Sequence, residues 1–229
     1  MGIVGAAILA VSLIATSAGV AQDAAITLPL SDTSRLTPHN VTAVAVRYRD
    51  SDAVEVRLAG AYRGPDKDTF AVIQDLDFHD GTIEVDVAGS LLPSALSGAR
   101  GFVGIAFRID PKDFACEGFY VRPTNGRAED QVRRNHATQY FSYPGWDFDR
   151  LRREAPAKYE AYADLVPDEW IHLRIEVAGA TARLYVGAAS QPTLIVNDLK
   201  RGAEAHGTVG LFVDNGTNGH FRNLTIRPR

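Results

Sequence analysis

Between Arg122 and Asp168 the chain gathers planar hydrogen-bonding side chains and flat aromatic rings. Arg122, Asn125 and Arg127 stand in the run Arg122-Pro123-Thr124-Asn125-Gly126-Arg127. Asn135-His136, Gln139-Tyr140 and Tyr143-Pro144-Gly145-Trp146 follow. Arg, Asn, Gln and His present donors and acceptors in fixed planes to hydroxyls, and flat rings pack against the apolar C–H face of a pyranose. Of the 20 aromatic residues, nine fall between Phe119 and Tyr162. Eight of the 24 Lys and Arg lie between Arg122 and Lys158, interleaved with Glu129, Asp130, Asp147, Asp149, Glu154 and Glu160. Such a patch is not strongly cationic, yet an Arg fork within it suits an acidic sugar.

The same residues have plainer uses. Arg122, Arg127, Arg133 and Arg134 can pair with Glu117, Glu129 and Asp130 to pin the segment. Tyr143 and Trp146 can pack beneath it, and His136 can be structural. Trp170 reads as core at a strand start, and Cys116 as a small buried apolar residue. For catalysis the candidates are His136 and Tyr140 as acid or base, helped by Asp130. For a structural calcium, turn oxygens of Asp110, Asp113, Asp214 and Asn215 are the candidates, at no spacing typical of a calcium loop. No Gly-x-Ser-x-Gly elbow, His-Glu-x-x-His pair or phosphate loop occurs.

The elements that must position these groups are strands. Val41–Tyr48 and Val54–Leu58 alternate with period two. Further runs cover 70–73, 82–87, 102–108, 118–122, 171–177, 182–186, 193–196, 207–213 and 219–226. About eleven strands separated by short turn clusters, with almost no helical periodicity, predict an all-β antiparallel two-sheet β-sandwich (jelly roll). The segment from 122 to 168 is a long insertion, with 147–154 and 156–163 expected as short helices. Residues 41–229 form the domain, and residues 22–40 a polar lead-in.

Three stretches together resemble the concanavalin A-like lectin/glucanase superfamily, and within it the laminin-G-like and 3-keto-disaccharide hydrolase-like domains of secreted bacterial proteins. They are Gly81–Val87 with Gly101–Arg108, Trp170–Val177 running into Ala182–Val186, and Gly210–Val213 ending in Phe221–Ile226. The resemblance implies a sugar bound across a concave sheet, with the long segment crossing or rimming it. Glucanases of this type carry two Glu on one strand, at the separation retaining hydrolysis needs. Here Glu84 and Asp86 are followed by Val87, Ala88 and Gly89 with no second Glu, so they read as outward polar positions of an amphipathic strand.

Composition bounds the rest. A net charge of −4 gives no basis for holding nucleic acid. One cysteine excludes an intramolecular disulfide and a multi-thiolate zinc site. The first 22 residues carry no charged side chain, and residues 1–21 read as a secretory signal peptide ending at Gly19-Val20-Ala21. The reading is therefore a secreted or periplasmic carbohydrate-binding module using Arg122, Asn125, Arg127, Asn135, His136, Gln139, Tyr140 and Trp146. Two alternatives stay open: a glycan-acting hydrolase or lyase, and a structural or adhesive module.

Overall fold

A computed structural model of the protein describes residues 1–2, 24–60 and 68–229. The expected signal peptide lies outside the described residues, apart from its first two. In chain order the strands are β1 (Ile26–Leu28), β2 (Leu36–His39), β3 (Val41–Tyr48), β4 (Ser51–Leu58), β5 (Phe70–Ile73), β6 (Gly81–Leu91), β7 (Val103–Ile109) and β8 (Cys116–Val121). A 3-10 turn (Pro123–Asn125), α1 (Gln131–Asn135), β9 (Thr138–Tyr143), α2 (Phe148–Glu154) and β10 (Glu160–Ala161) make up the long insertion. Strands β11 (Ile171–Ala178), β12 (Thr181–Val186), β13 (Leu194–Val196), β14 (Thr208–Val213) and β15 (Thr217–Pro228) complete the chain.

These strands form two antiparallel sheets, the sandwich that the sequence pattern predicts. The first runs β13-β12-β11-β6-β15-β4-β3, with β1 added beside β15. The second runs β10-β9-β8-β7-β14-β5-β2. Within the expected lead-in, Ile26–Leu28 and Leu36–His39 are built into the two sheets as β1 and β2. The insertion does not cross a sheet face as a loop. It extends the edge of the second sheet by β9 and β10, and α2 covers part of 147–154. Helix was also expected over 156–163, where the structure has β10 instead.

The main core is made by alternate residues of both sheets, including Ile83, Val85 and Val87 of β6 and Ile105, Phe107, Phe119 and Leu211 of the second sheet. Because neighbouring residues of a strand face opposite ways, Tyr120 points away from Phe119 into a second apolar cluster with Phe70, Phe141 and Phe212. Ring centroids there lie 5.5 Å (Tyr120–Phe212) and 4.8 Å (Phe141–Phe212) apart. Both faces of β7 and β8 are therefore buried.

Glycine lets the backbones of β7 and β8 approach closely here. Gly104 pairs with Tyr120 across β7 and β8, and a Cβ at Gly104 would run into the carbonyl oxygen of Phe119 and the backbone of Tyr120. Gly104→Ala should therefore cost about 3 kcal/mol through forced backbone displacement. The urea unfolding midpoint measures this, and an unchanged midpoint would show that the strands yield freely.

Buried Arg108 ties the far end of the sandwich. Its guanidinium donates to the carbonyls of His79 (2.8 Å), Gly179 (2.9 Å) and Gly202 (3.1 Å) and to Asp80 (2.9 Å). Three separate turns are held by one side chain whose charge is matched by Asp80.

Candidate functional site: an arginine-lined pocket at the sheet edge

At the opposite end of β7, the loop before that strand, the end of β8, α1 and α2 enclose a pocket of about 420 Å³. Local sequence sets each wall. Pro123 opens the 3-10 turn after β8. Asp130 caps α1 by accepting from the Arg133 amide (2.7 Å), and Asp147 caps α2 by accepting from the Arg150 amide (2.9 Å). Arg150–Glu154 and Arg153–Asp149 pair along the exposed side of α2, while Leu151 is buried in the core. Arg152 is left facing the pocket.

The lining combines Arg100, Arg122, Arg133 and Arg152 with Asn125, Asp130, His136 and the half-buried rings of Phe102 and Phe148. Arg122 is the floor, 4% exposed. One of its terminal nitrogens donates to the His136 carbonyl (2.9 Å) and Glu160 (3.2 Å), the other to the Tyr120 hydroxyl and Gln139 Oε1 (both 3.0 Å). Its cation lies 5.0 Å from the Tyr120 ring centroid and 5.6 Å from that of Phe148. Glu160, equally buried, also receives a fork from Arg152 and lies 3.5 Å from His136 Nε2. Arg133 donates to Asn125 Oδ1 (2.8 Å) and to Thr124 O and Oγ1 (both 3.1 Å), which fixes the Asn125 amide.

The pocket is electropositive. Among the described residues, Asp130 is the one carboxylate in its lining and Glu160 pairs with Arg122 and Arg152, two carboxylates against four guanidinium groups. Burial, then repulsion from Arg133 and Arg122, lowers the Arg100 pKa below the ordinary guanidinium value. Burial also holds His136 below the usual imidazole range, with Glu160 opposing that shift and Arg152 and Arg122 adding to it. A smaller cavity of about 290 Å³ adjoins, sharing Val132 and His136 and adding Asn135, Glu160 and Tyr162.

The structure separates the residues that the sequence grouped. Arg122, Asn125, Asp130 and His136 line the pocket, and Asn135 lines its neighbour while accepting from Gln131 (2.8 Å). Arg127 stands elsewhere, in a bidentate pair with Asp164 (2.7 and 3.0 Å). Trp146 is outside the pocket, with the Arg150 guanidinium 3.6 Å and the Lys200 ammonium 4.8 Å from its ring centroid. Gln139 and Tyr140 are fully buried in β9. Gln139 holds Arg122 from beneath. Tyr140 donates to buried Glu117 and accepts from the Lys200 amide (2.9 Å), which takes its hydroxyl away from any acid–base role in the pocket. Sequence reasoning passed over Arg100 and Phe102, Arg133 and Arg152 as ligand groups, and Phe148.

Glu117 carries a pH signature of its own. Burial raises its carboxyl above the usual 4.5, against the lowering effect of the Tyr140 and Arg201 hydrogen bonds. A carboxyl with a raised folded pKa binds its proton more tightly folded than unfolded. Its stabilising effect is full below about 4.5 and is lost as pH rises through the folded value. Glu117→Gln should therefore gain stability relative to the parent as pH is raised from 4.5 toward neutrality. Urea titrations across that range check this, and a pH-independent difference would contradict it.

The calcium candidates do not converge. Asp110 Oδ1 accepts from the Lys112 amide (2.8 Å) and Asp113 Oδ1 from the Ala115 amide (2.9 Å), in the turn after β7. Asp214 Oδ1 accepts from the Asn215 amide (2.7 Å), beside the start of β7. The pairs sit at opposite ends of a seven-residue strand, about 20 Å apart at strand rise, and cannot share an ion. Among the described residues no group of three or more His, Cys, Asp or Glu is placed to hold a metal.

A wider groove of about 870 Å³ lies at that other end, lined by Asp75, Asp77, Asp110 and Glu204 beside Lys112, Arg201, Val72 and Phe114. Asp77 there pairs with His206 (2.8 Å), and the Phe114 ring stacks on His39 at 3.6 Å.

Two antiparallel sheets in this order make a β-sandwich of the concanavalin A-like jelly-roll fold. No family model and no curated protein matches the sequence. Solved structures do match in fold. The carbohydrate-binding module CBM66 from Bacillus subtilis is 16% identical with a TM-score of 0.56, over 84% of this chain and 95% of that one. A Bacillus subtilis protein of unknown function with a galectin-like fold is 11% identical with a TM-score of 0.57, over 91% and 99%. A glycosyl hydrolase candidate from Parabacteroides distasonis is 12% identical with a TM-score of 0.53, over 89% and 100%. At these identities the likeness is one of fold. No helix among the described residues is long and apolar enough to cross a membrane.

Proposed function

We propose that the protein is an exported carbohydrate-binding module that takes a glycan into the arginine-lined pocket, with the adjoining cavity holding the next sugar unit across His136. One observation carries this reading. A cavity of about 420 Å³ brings half-buried rings, Phe102 and Phe148, together with planar donors on Arg100, Arg133 and Asn125. That volume is within the range of small-ligand sites, about 300–1,000 Å³. Ring faces serve the apolar side of a sugar, and the fixed donors serve its hydroxyls. The larger groove offers four carboxylates and a single ring already stacked on a histidine, a poorer match. The fold is one on which carbohydrate-binding modules are built, and the charge-free leader supports export.

The test is binding of the purified protein to a panel of oligosaccharides, with reducing-sugar release followed in parallel. The expected result is binding without release, weakened about tenfold by Phe102→Ala, the loss of about 1.4 kcal/mol of ring contact. Binding that Phe102→Ala leaves intact would remove the pocket from the account. Release of sugar that is abolished by His136→Ala would transfer the protein to the glycan-acting enzymes.

A further inference from the structure

The four guanidinium groups are more positive charge than the pocket itself neutralises. Arg122 and Arg152 share Glu160, and Asp130 is the one other carboxylate among the described residues of the pocket, two negative charges against four positive. Arg100 uses one terminal nitrogen on the carbonyls of Ser97 and Ala99 (both 2.6 Å) and has no acceptor among the described residues for its other N–H groups. Arg133 engages Asn125 and Thr124 through Nε and one terminal nitrogen, and its second terminal nitrogen has no such acceptor. Both line the pocket beside His136. A neutral sugar would leave these half-buried cations facing one another across the pocket. An anion would satisfy their N–H groups and relieve the repulsion together.

We propose that the ligand is an acidic glycan, and that Arg100 and Arg133 grip the carboxylate of a uronic acid residue between them while Phe102 and Phe148 flank its ring. The inference rests on the reading of this pocket as a glycan site and specifies the ligand's chemical class. A planar carboxylate matches the guanidinium fork in two parallel hydrogen bonds, which a sugar hydroxyl does not. The buried Arg122–Glu160–Arg152 network keeps the floor rigid beneath it.

The experiment measures calorimetric binding of the full chain to oligogalacturonate, oligoalginate and oligoglucuronate, each beside its carboxyl-reduced counterpart. The expected result is binding to at least one uronate, at least tenfold weaker binding to its reduced form, and weakening by added salt. Arg100→Gln should erase the preference. Its bonds in the free protein hold only its own loop, so the unfolding midpoint should stay near that of the parent. Arg100→Lys, which keeps the charge and loses the fork, should fall between. Equal binding of acidic and reduced forms would overturn the acidic-ligand inference and leave the glycan site standing. Binding of a sulfated, uronate-free glycan in place of the uronates would overturn the carboxylate assignment. Failure to bind any acidic or neutral glycan would overturn both the inference and the reading beneath it.

Discussion

Glu160→Leu is expected to destabilise the protein by about 3–5 kcal/mol and to abolish glycan binding with it. The side chains of Arg122 and Glu160 are 5% and 3% exposed. Removing the carboxylate leaves the Arg122 cation facing only neutral acceptors, the His136 carbonyl, the Tyr120 hydroxyl and Gln139. An uncompensated buried charge is far costlier than the pair is stabilising, so most of the loss comes from Arg122 rather than from the missing contact. This gives a second, sharper expectation: Arg122→Leu with Glu160→Leu should be more stable than Glu160→Leu alone. Urea unfolding at constant m-value reads both. A cost below about 1 kcal/mol, in the range of an exposed pair, would show that water reaches this network.

Arg133→Gln is expected to weaken glycan binding about 100-fold, the largest effect among residues that face the ligand. Arg133 does two things. It presents a free terminal nitrogen to the pocket, and it holds the Asn125 amide and Thr124 in place. Losing one charge-assisted hydrogen bond accounts for about 1.5–3 kcal/mol, between one and two powers of ten. The Asn125 amide, then held only by its bond to the His136 carbonyl (3.0 Å) among the described residues, adds to this. Arg133→Lys should recover only part, because a lysine ammonium does not span Asn125 and Thr124 with a planar fork. A calorimetric titration of the two variants decides the matter. Equal, small losses in both would mean that Arg133 only frames the pocket.

Much of the fold was legible because half-buried strands alternate. Eleven of the fifteen described strands coincide with runs rich in apolar, β-branched and aromatic residues, several of them alternating with period two. The four that were missed each have a physical reason. β1 and β10 are too short to show a period. β2 contains Pro38, which lacks a ladder donor and is tolerated because β2 is the sheet's edge. β9 is buried on both faces, so Thr138, Gln139, Tyr140, Phe141 and Ser142 show no alternation at all. That same double burial misled the site reading. Gln139 and Tyr140 look like surface recognition residues, yet each answers a buried partner, Arg122 and Glu117, contributed by the neighbouring strand or its end. Arg122, Asn125 and His136, which line one pocket, could be grouped from the sequence because the turn after β8 and the α1 terminus are local in the chain. Arg100 and Phe102 come from a small-residue loop on the far side of β7 and β8, and only the antiparallel pairing of those strands carries them to the insertion.

The central claim is that the pocket between the β6–β7 loop, α1 and α2 is where a glycan binds. Hydrogen–deuterium exchange of the protein with and without a bound oligosaccharide tests this most directly. The account predicts protection over residues 97–102, 122–136 and 148–154, the segments that wall the pocket. Protection confined instead to residues 37–39, 72–77, 109–114 and 201–208, which line the wider groove, would contradict it.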